Sequence, residues 1–173
     1  MRRGEHFERS DFAARGNAQR LRTLLIWPIA ELDLRSVGQS VMQDRDGMGR
    51  PHKGIDLFAD AGTAVRAACD ARVLRVIDGR QHARLALRRA GLFVDLACED
   101  LVLRYLHLGE VWVAAGESVT QGSVVGTVAA PFTSGLGEVP HLHFEVRAGD
   151  YDAKRQDYGP PIDPLRLLPA RRT

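Results

Sequence analysis

From Ile55 onward, apolar residues recur in short β-branched or aromatic runs at 55–58, 63–67, 72–77, 92–96 and 101–106. Asp60-Ala61-Gly62, Asp78-Gly79 and Glu99-Asp100 fall between these runs, and all three are turn chemistry. Short strands at this spacing predict an all-β domain built mainly from antiparallel hairpins. The stretch 84–90 fits either a further strand or a short insertion, and its residues do not choose between them. At 116–128 the glycines fall at turn points between small strands, and at 129–139 a Gly-containing loop leads into the apolar run that starts at His141.

The ends follow other patterns. Phe7, Phe12, Leu21 and Leu25 are spaced among charges with Gly16 interrupting them, which predicts a helical or partly ordered extension. Residues 24–30 have the bulk of a short strand, ended by Pro28 and the acidic residues after it. Residues 36–51 are polar and Gly-rich, a loop long enough to form one wall of a cleft. Near the C-terminus, Pro160-Pro161-Ile162-Asp163-Pro164 fixes an extended segment and then a turn, after which Leu165, Leu167 and Leu168 are expected to dock on the domain. The predicted division is an extension at 1–23, one domain at 24–168 and a tail at 169–173.

Composition narrows the function classes. With 173 residues, 45% hydrophobic and 27% charged, the chain has the make-up of one ordinary globular domain. The formal net charge is +2, and the arginines are spread along the chain without aromatic interleaving, so nucleic acid is not an expected partner. No run reaches transmembrane length, which argues against stable membrane insertion, and no secretory signal is visible in residues 1–22. Cys69 and Cys98 lack zinc-finger spacing; they could form one disulfide or stand as two small buried hydrophobes. The 116–128 turn is similar to that of biotin- or lipoate-carrying domains, but it contains no Lys to modify, which makes a carrier a poor reading; a carrier or regulatory β domain in the cytoplasm is favoured only by the missing signal.

Candidate chemistry lies in three histidine clusters. On an extended strand His141 and His143 leave from one face, roughly 7 Å apart, so they could address one metal ion or simply decorate an edge strand. In His52-Lys53-Gly54-Ile55-Asp56 a straight strand would separate the first and last side chains by about 13 Å, and a bend at Gly54 would bring them together. With one imidazole of the His141/His143 pair they would make two nitrogens and one oxygen, the three-ligand type of catalytic zinc site that keeps a fourth position for water. Residue chemistry alone leaves open which of the pair is the ligand. The other imidazole would serve as general base or oxyanion stabiliser, and Tyr105-Leu106-His107-Leu108 offers one more at the end of an apolar strand.

Taken together and in this order, these clusters resemble the lysostaphin-type zinc endopeptidases, bacterial enzymes that cut peptide bonds in cell-wall peptidoglycan. The resemblance runs from about Trp27 to about Leu168 and takes in the 116–128 turn and the closing Ile162-Asp163-Pro164. It implies an all-β, mainly antiparallel sheet or sandwich core. It also implies one Zn2+ per chain on His52, Asp56 and His143, with His107 and His141 catalytic but not ligands. The implied reaction is attack of zinc-activated water on peptide cross-links or stem peptides, in a periplasmic or extracellular part of the cell envelope, with a monomer as the expected state. The alternative is a catalytically silent homologue that binds wall or regulates a partner. Two stretches depart from the family pattern: 43–51 lacks the usual Gly-x-Arg, and Glu138-Val139-Pro140 replaces the Thr-Gly-Pro that often precedes His-x-His.

Overall fold

The computed structural model describes residues 25–30, 37–38, 51–135, 137–149 and 157–170. The expected extension at 1–23 and most of the 36–51 loop lie outside the described residues. Among the described residues nine strands form one hydrogen-bonded sheet: β1 (Ile55–Phe58), β2 (Ala64–Arg66), β3 (Ala71–Asp78), β4 (Leu92–Cys98), β5 (Leu101–Val111), β6 (Ser118–Val119), β7 (Val124–Val128), β8 (His141–Ala148) and β9 (Pro161–Ile162). The main order is β1-β8-β5-β4-β3-β6, every pairing is antiparallel, and β2 and β7 form a second wing attached through β5. The expected all-β, mainly antiparallel class is therefore correct.

The wings meet because β5 changes partners part-way. Its first half pairs with β8 up to Leu106 opposite His143, and its second half pairs with β7 from Leu108 opposite Val128. His107 sits at the changeover with φ of 64°, a left-handed conformation that costs a non-glycine residue about 1–3 kcal/mol and collects at functional sites. His107 thus lies in the middle of a long strand and not at a strand end, as the apolar pattern had suggested. The core between the wings includes Leu57, Val65, Leu96, Leu103, Leu108, Leu142 and Phe144, all fully buried. Tyr105 is buried among them, and its hydroxyl oxygen accepts from the Ala68 amide at 2.9 Å.

Several expectations are corrected. Residues 25–30 form no strand: the Ile26 amide donates to Ala68 O, the Arg66 amide donates to Pro28 O, and Leu25 and Ile29 fill the core. Pro28 has no amide to extend a ladder. Residues 84–90, left open between a strand and a short insertion, form an insertion with a short helix, α1 (Leu85–Ala90), made of good helix formers with Arg88 and Arg89 in its last turn. At the C-terminus Leu167 and Leu168 dock, but Leu165 is 42% exposed. It lies in a 3-10 turn (Pro164–Arg166) capped by the Asp163 carboxylate, which presents Pro164 and Leu167 inward. Cys69 and Cys98, left open by the sequence, are paired as a disulfide.

Candidate metal centre

The candidate site is built on the β1–β8–β5 surface. Antiparallel register sets Asp56 opposite His143 and Leu106 opposite His143 on the other side. His52 precedes β1 and folds back at Gly54, where the chain bends. A side chain at Gly54 would run into the Phe144 carbonyl of β8, so glycine is required here for close backbone approach. Gly54→Ala should therefore destabilise the fold by about 1–3 kcal/mol and loosen the site; chemical denaturation would measure it, and an unchanged midpoint would contradict this reading.

The bend succeeds in bringing i and i+4 together. His52 Nε2 lies 3.2 Å from Asp56 Oδ1, His143 Nδ1 lies 2.8 Å from the same oxygen, and the two nitrogens are 2.9 Å apart. All three side chains are buried, and among the described residues they form the one grouping of His, Cys, Asp or Glu able to hold a metal ion. Tetrahedral bonds of about 2.0–2.1 Å would set such donor atoms about 3.4 Å apart, so the three lie slightly inside ligand spacing. Two neutral imidazole nitrogens and a carboxylate oxygen are a donor set that suits zinc. The residues present fit the ion.

Residues 141, 143, 145 and 147 share one face of β8, and Glu145, to which the sequence reading assigned no role, stands against the cluster. Its Oε1 lies 3.1 Å from His143 Nε2, on the side of the ring away from Asp56. A proton on Nε2 donated to Glu145 leaves the Nδ1 lone pair facing the metal position, the carboxylate–histidine–metal relation that orients a ligand. Glu145 is in turn held by Arg147 at 3.1 Å and Arg104 at 3.4 Å. Arg104 and Arg75 both grip the fully buried Asp95, which also accepts from the Tyr158 hydroxyl at 3.0 Å. Asp157 completes the girdle, pairing with Arg147 at 3.0 Å and with Lys53, next to His52, at 2.7 Å. Period-two alternation from His141 pointed to Glu145; Arg104 and Asp95 needed the cross-strand register Asp95↔Arg104↔Glu145. Glu145→Gln should weaken zinc binding by 10- to 100-fold, read by competition with a chromophoric chelator; unchanged affinity would contradict it.

The protonation state of the metal-free cluster follows from these contacts. Burial by itself would raise the Asp56 and Glu145 carboxyls, but hydrogen bonds from His143, joined by His52 at Asp56 and by the Arg104 charge at Glu145, hold both well below the usual range. Burial opposes charge on His143, yet the two carboxylates raise its pKa. The depressed carboxyls contribute stability above their ordinary values, 3.8 for Asp56 and 4.5 for Glu145, lost as pH falls; the raised imidazole contributes below its ordinary 6.5, lost as pH rises. The metal-free protein should melt highest between those values, and zinc should remove the alkaline decline by replacing the proton. Thermal melts across pH with and without zinc would check this.

The two remaining imidazoles stand beside the cluster. His141 Nδ1 lies 2.7 Å from Val139 O, so its proton is donated there, and the bare Nε2 points inward, buried, without a hydrogen-bond partner among the described residues and 3.8 Å from Asp56 Oδ1. The His107 ring is 4.8 Å from that of His141 and 6.0 Å from that of His143. Glycines let the 131–140 loop press against both rings: a side chain at Gly135 would strike His107, and one at Gly137 would strike His141. All five sequence-predicted positions thus converge on one point.

A sequence model described as peptidase family M23 matches residues 50–164. The chain belongs to peptidase family M23. M23 relatives include the cell division protein DipM of Caulobacter vibrioides, 30% identical over 83% of this chain and 20% of its own length. The glycyl-glycine endopeptidase ALE-1 of Staphylococcus capitis is 31% identical over 56% of this chain and 25% of its own. The murein hydrolase activator NlpD of Escherichia coli is 31% identical over 69% and 27%. The chain thus spans between about a fifth and just over a quarter of the length of these curated relatives. The M23 fold is shared with the catalytic domain of lysostaphin from Staphylococcus simulans, with TM-score 0.61 at 22% identity, covering 86% of this chain and 94% of that one.

Proposed function

We propose that this chain is a zinc metalloendopeptidase that hydrolyses peptide cross-links or stem peptides of bacterial cell-wall peptidoglycan. The observation that carries the proposal is the convergence of His52, Asp56 and His143 beside a His141 whose backbone hydrogen bond leaves Nε2 bare and facing them. Family M23 membership and a relative named as a glycyl-glycine endopeptidase support it.

His52 Nε2, Asp56 Oδ1 and His143 Nδ1 would hold the zinc, and one bound there supplies polarisation of a carbonyl and acidification of water near neutral pH. His141 Nε2 takes the proton from the attacking water and returns it to the amide nitrogen as the C–N bond breaks. A ring N–H of His107 donates to the carbonyl oxygen as it gains charge in the tetrahedral state. Asp56 tempers the positive charge of the site, while Glu145 and its arginines hold the His143 ring against rotation. The proposed place of work is the cell envelope, periplasmic or extracellular. The Cys69–Cys98 pair fits an oxidising compartment, and no described helix is long and apolar enough to cross a membrane.

Purified zinc-loaded protein should release peptide fragments with new amino and carboxyl ends from peptidoglycan of known chemistry, identified by mass spectrometry, with release stopped by a chelator and restored by zinc. Uncut peptides despite a filled metal site would sink the proposal. The competing reading, a module that regulates a hydrolase without cutting, is favoured by the relatives named murein hydrolase activator. It would gain if the zinc-loaded chain left peptides intact while stimulating a separate hydrolase.

A further inference from the structure

We infer that α1 and its N-cap form an anion-binding subsite beside the cleft, in which Arg84, Arg88 and Arg89 select peptides that carry free carboxylates near the scissile bond. The inference rests on the peptidase reading above and narrows its substrate class from peptides in general to acidic ones. The arginine-bearing helix is joined to the active face by its backbone. Gly91, which ends the helix at φ of 70°, lies so close to Ser134 that a side chain there would strike its hydroxyl, and the Leu92 amide donates to the same hydroxyl at 2.8 Å. One residue on, a side chain at Gly135 would strike both the His107 ring and the Arg89 carbonyl oxygen. The end of α1, the loop over the site and a proposed oxyanion donor thus meet around one glycine.

The charges on this helix are available. Arg84, Arg88 and Arg89 are exposed, and no carboxylate pairs with them among the described residues. Arg80 just before them is different, since Asp78 holds it through two contacts of 2.8 and 2.6 Å. Glu138, the one acidic residue in the 131–140 loop, is exposed and makes no ion pair with them among the described residues. Arg84 stands at the N-cap of the helix and Arg88 one turn on, joined by the Arg88 amide to Arg84 carbonyl bond. Guanidinium forks match planar carboxylates in two-point contacts. A neutral, glycine-rich peptide has nothing to offer such a surface, whereas a peptide with free carboxylates near the reacting carbonyl does.

The test uses the zinc-loaded full chain carrying His141→Ala to suppress turnover. Fluorescence anisotropy would compare a labelled synthetic peptide bearing two free side-chain or terminal carboxylates with its amidated twin. The free peptide should bind about tenfold tighter at low salt, and the preference should shrink as salt rises. Arg84→Gln, Arg88→Gln and Arg89→Gln combined should abolish it while leaving the amidated peptide within about twofold; glutamine keeps helix propensity, so the fold is retained. Equal affinity for the two peptides, or a preference that survives the triple substitution, would overturn the subsite. Arginine-dependent binding to phosphatidylglycerol vesicles with no peptide preference would also overturn it. If the chain with His141 intact cuts both peptides equally, the subsite fails and the peptidase reading stands. Arginine-dependent binding of the acidic peptide with no cutting by that chain would support the subsite and sink the peptidase reading.

Discussion

His143→Ala should lose zinc and hydrolytic activity together. The donor set has only three protein atoms, and removing Nδ1 leaves His52 Nε2 and Asp56 Oδ1, 3.2 Å apart, with too few ligands to hold an ion in a site that already reserves a position for water. The substitution also strands Glu145, whose Oε1 faces His143 at 3.1 Å, although Arg104 and Arg147 keep its charge compensated. The chain should therefore remain folded while its metal content drops to background, as measured by elemental analysis beside circular dichroism. A His143→Ala protein that kept stoichiometric zinc would reverse the assignment of ligand and base within the pair.

His141→Ala should behave in the opposite way, keeping near-stoichiometric zinc while turnover falls by roughly two to four orders of magnitude, the range for removing a general acid/base. The reason lies in ring orientation: the Nδ1–H is committed to Val139 O, and Nε2 stands 3.8 Å from Asp56 Oδ1, farther out than the His143 and His52 nitrogens at 2.8 and 3.2 Å and within reach of a water held at the edge of the cluster. His107→Ala should also retain metal, with a smaller loss of about 100- to 1000-fold for one oxyanion donor. Steady-state rates on one soluble peptide, each normalised to bound zinc, would check both. Loss of zinc in His141→Ala would contradict the account.

Much of this site could be read from spacing because its chemistry is carried by local motifs. His141 and His143 share a face by the period of a strand, and Gly54 between His52 and Asp56 announces a bend. The ligand choice is open on residue chemistry alone, since either strand imidazole could reach inward; family resemblance points to His143, and the structure sets His143 directly across from Asp56. What the sequence could not display depends on register. Asp95, Arg104 and Glu145 are far apart in the chain and meet only because β4, β5 and β8 are adjacent. The left-handed turn at His107 is invisible to an alternation pattern, which continues through it unchanged. The six residues of α1 were ambiguous for a related reason: a short apolar run flanked by arginines satisfies either period, and the Gly91 contact with Ser134 helps fix where that helix ends.

The measurement that bears most directly on the central claim is the zinc content of the purified full chain after exposure to the metal and exhaustive dialysis. The account predicts close to one zinc per chain, held by His52, Asp56 and His143. A stably folded chain that takes up no zinc would contradict it.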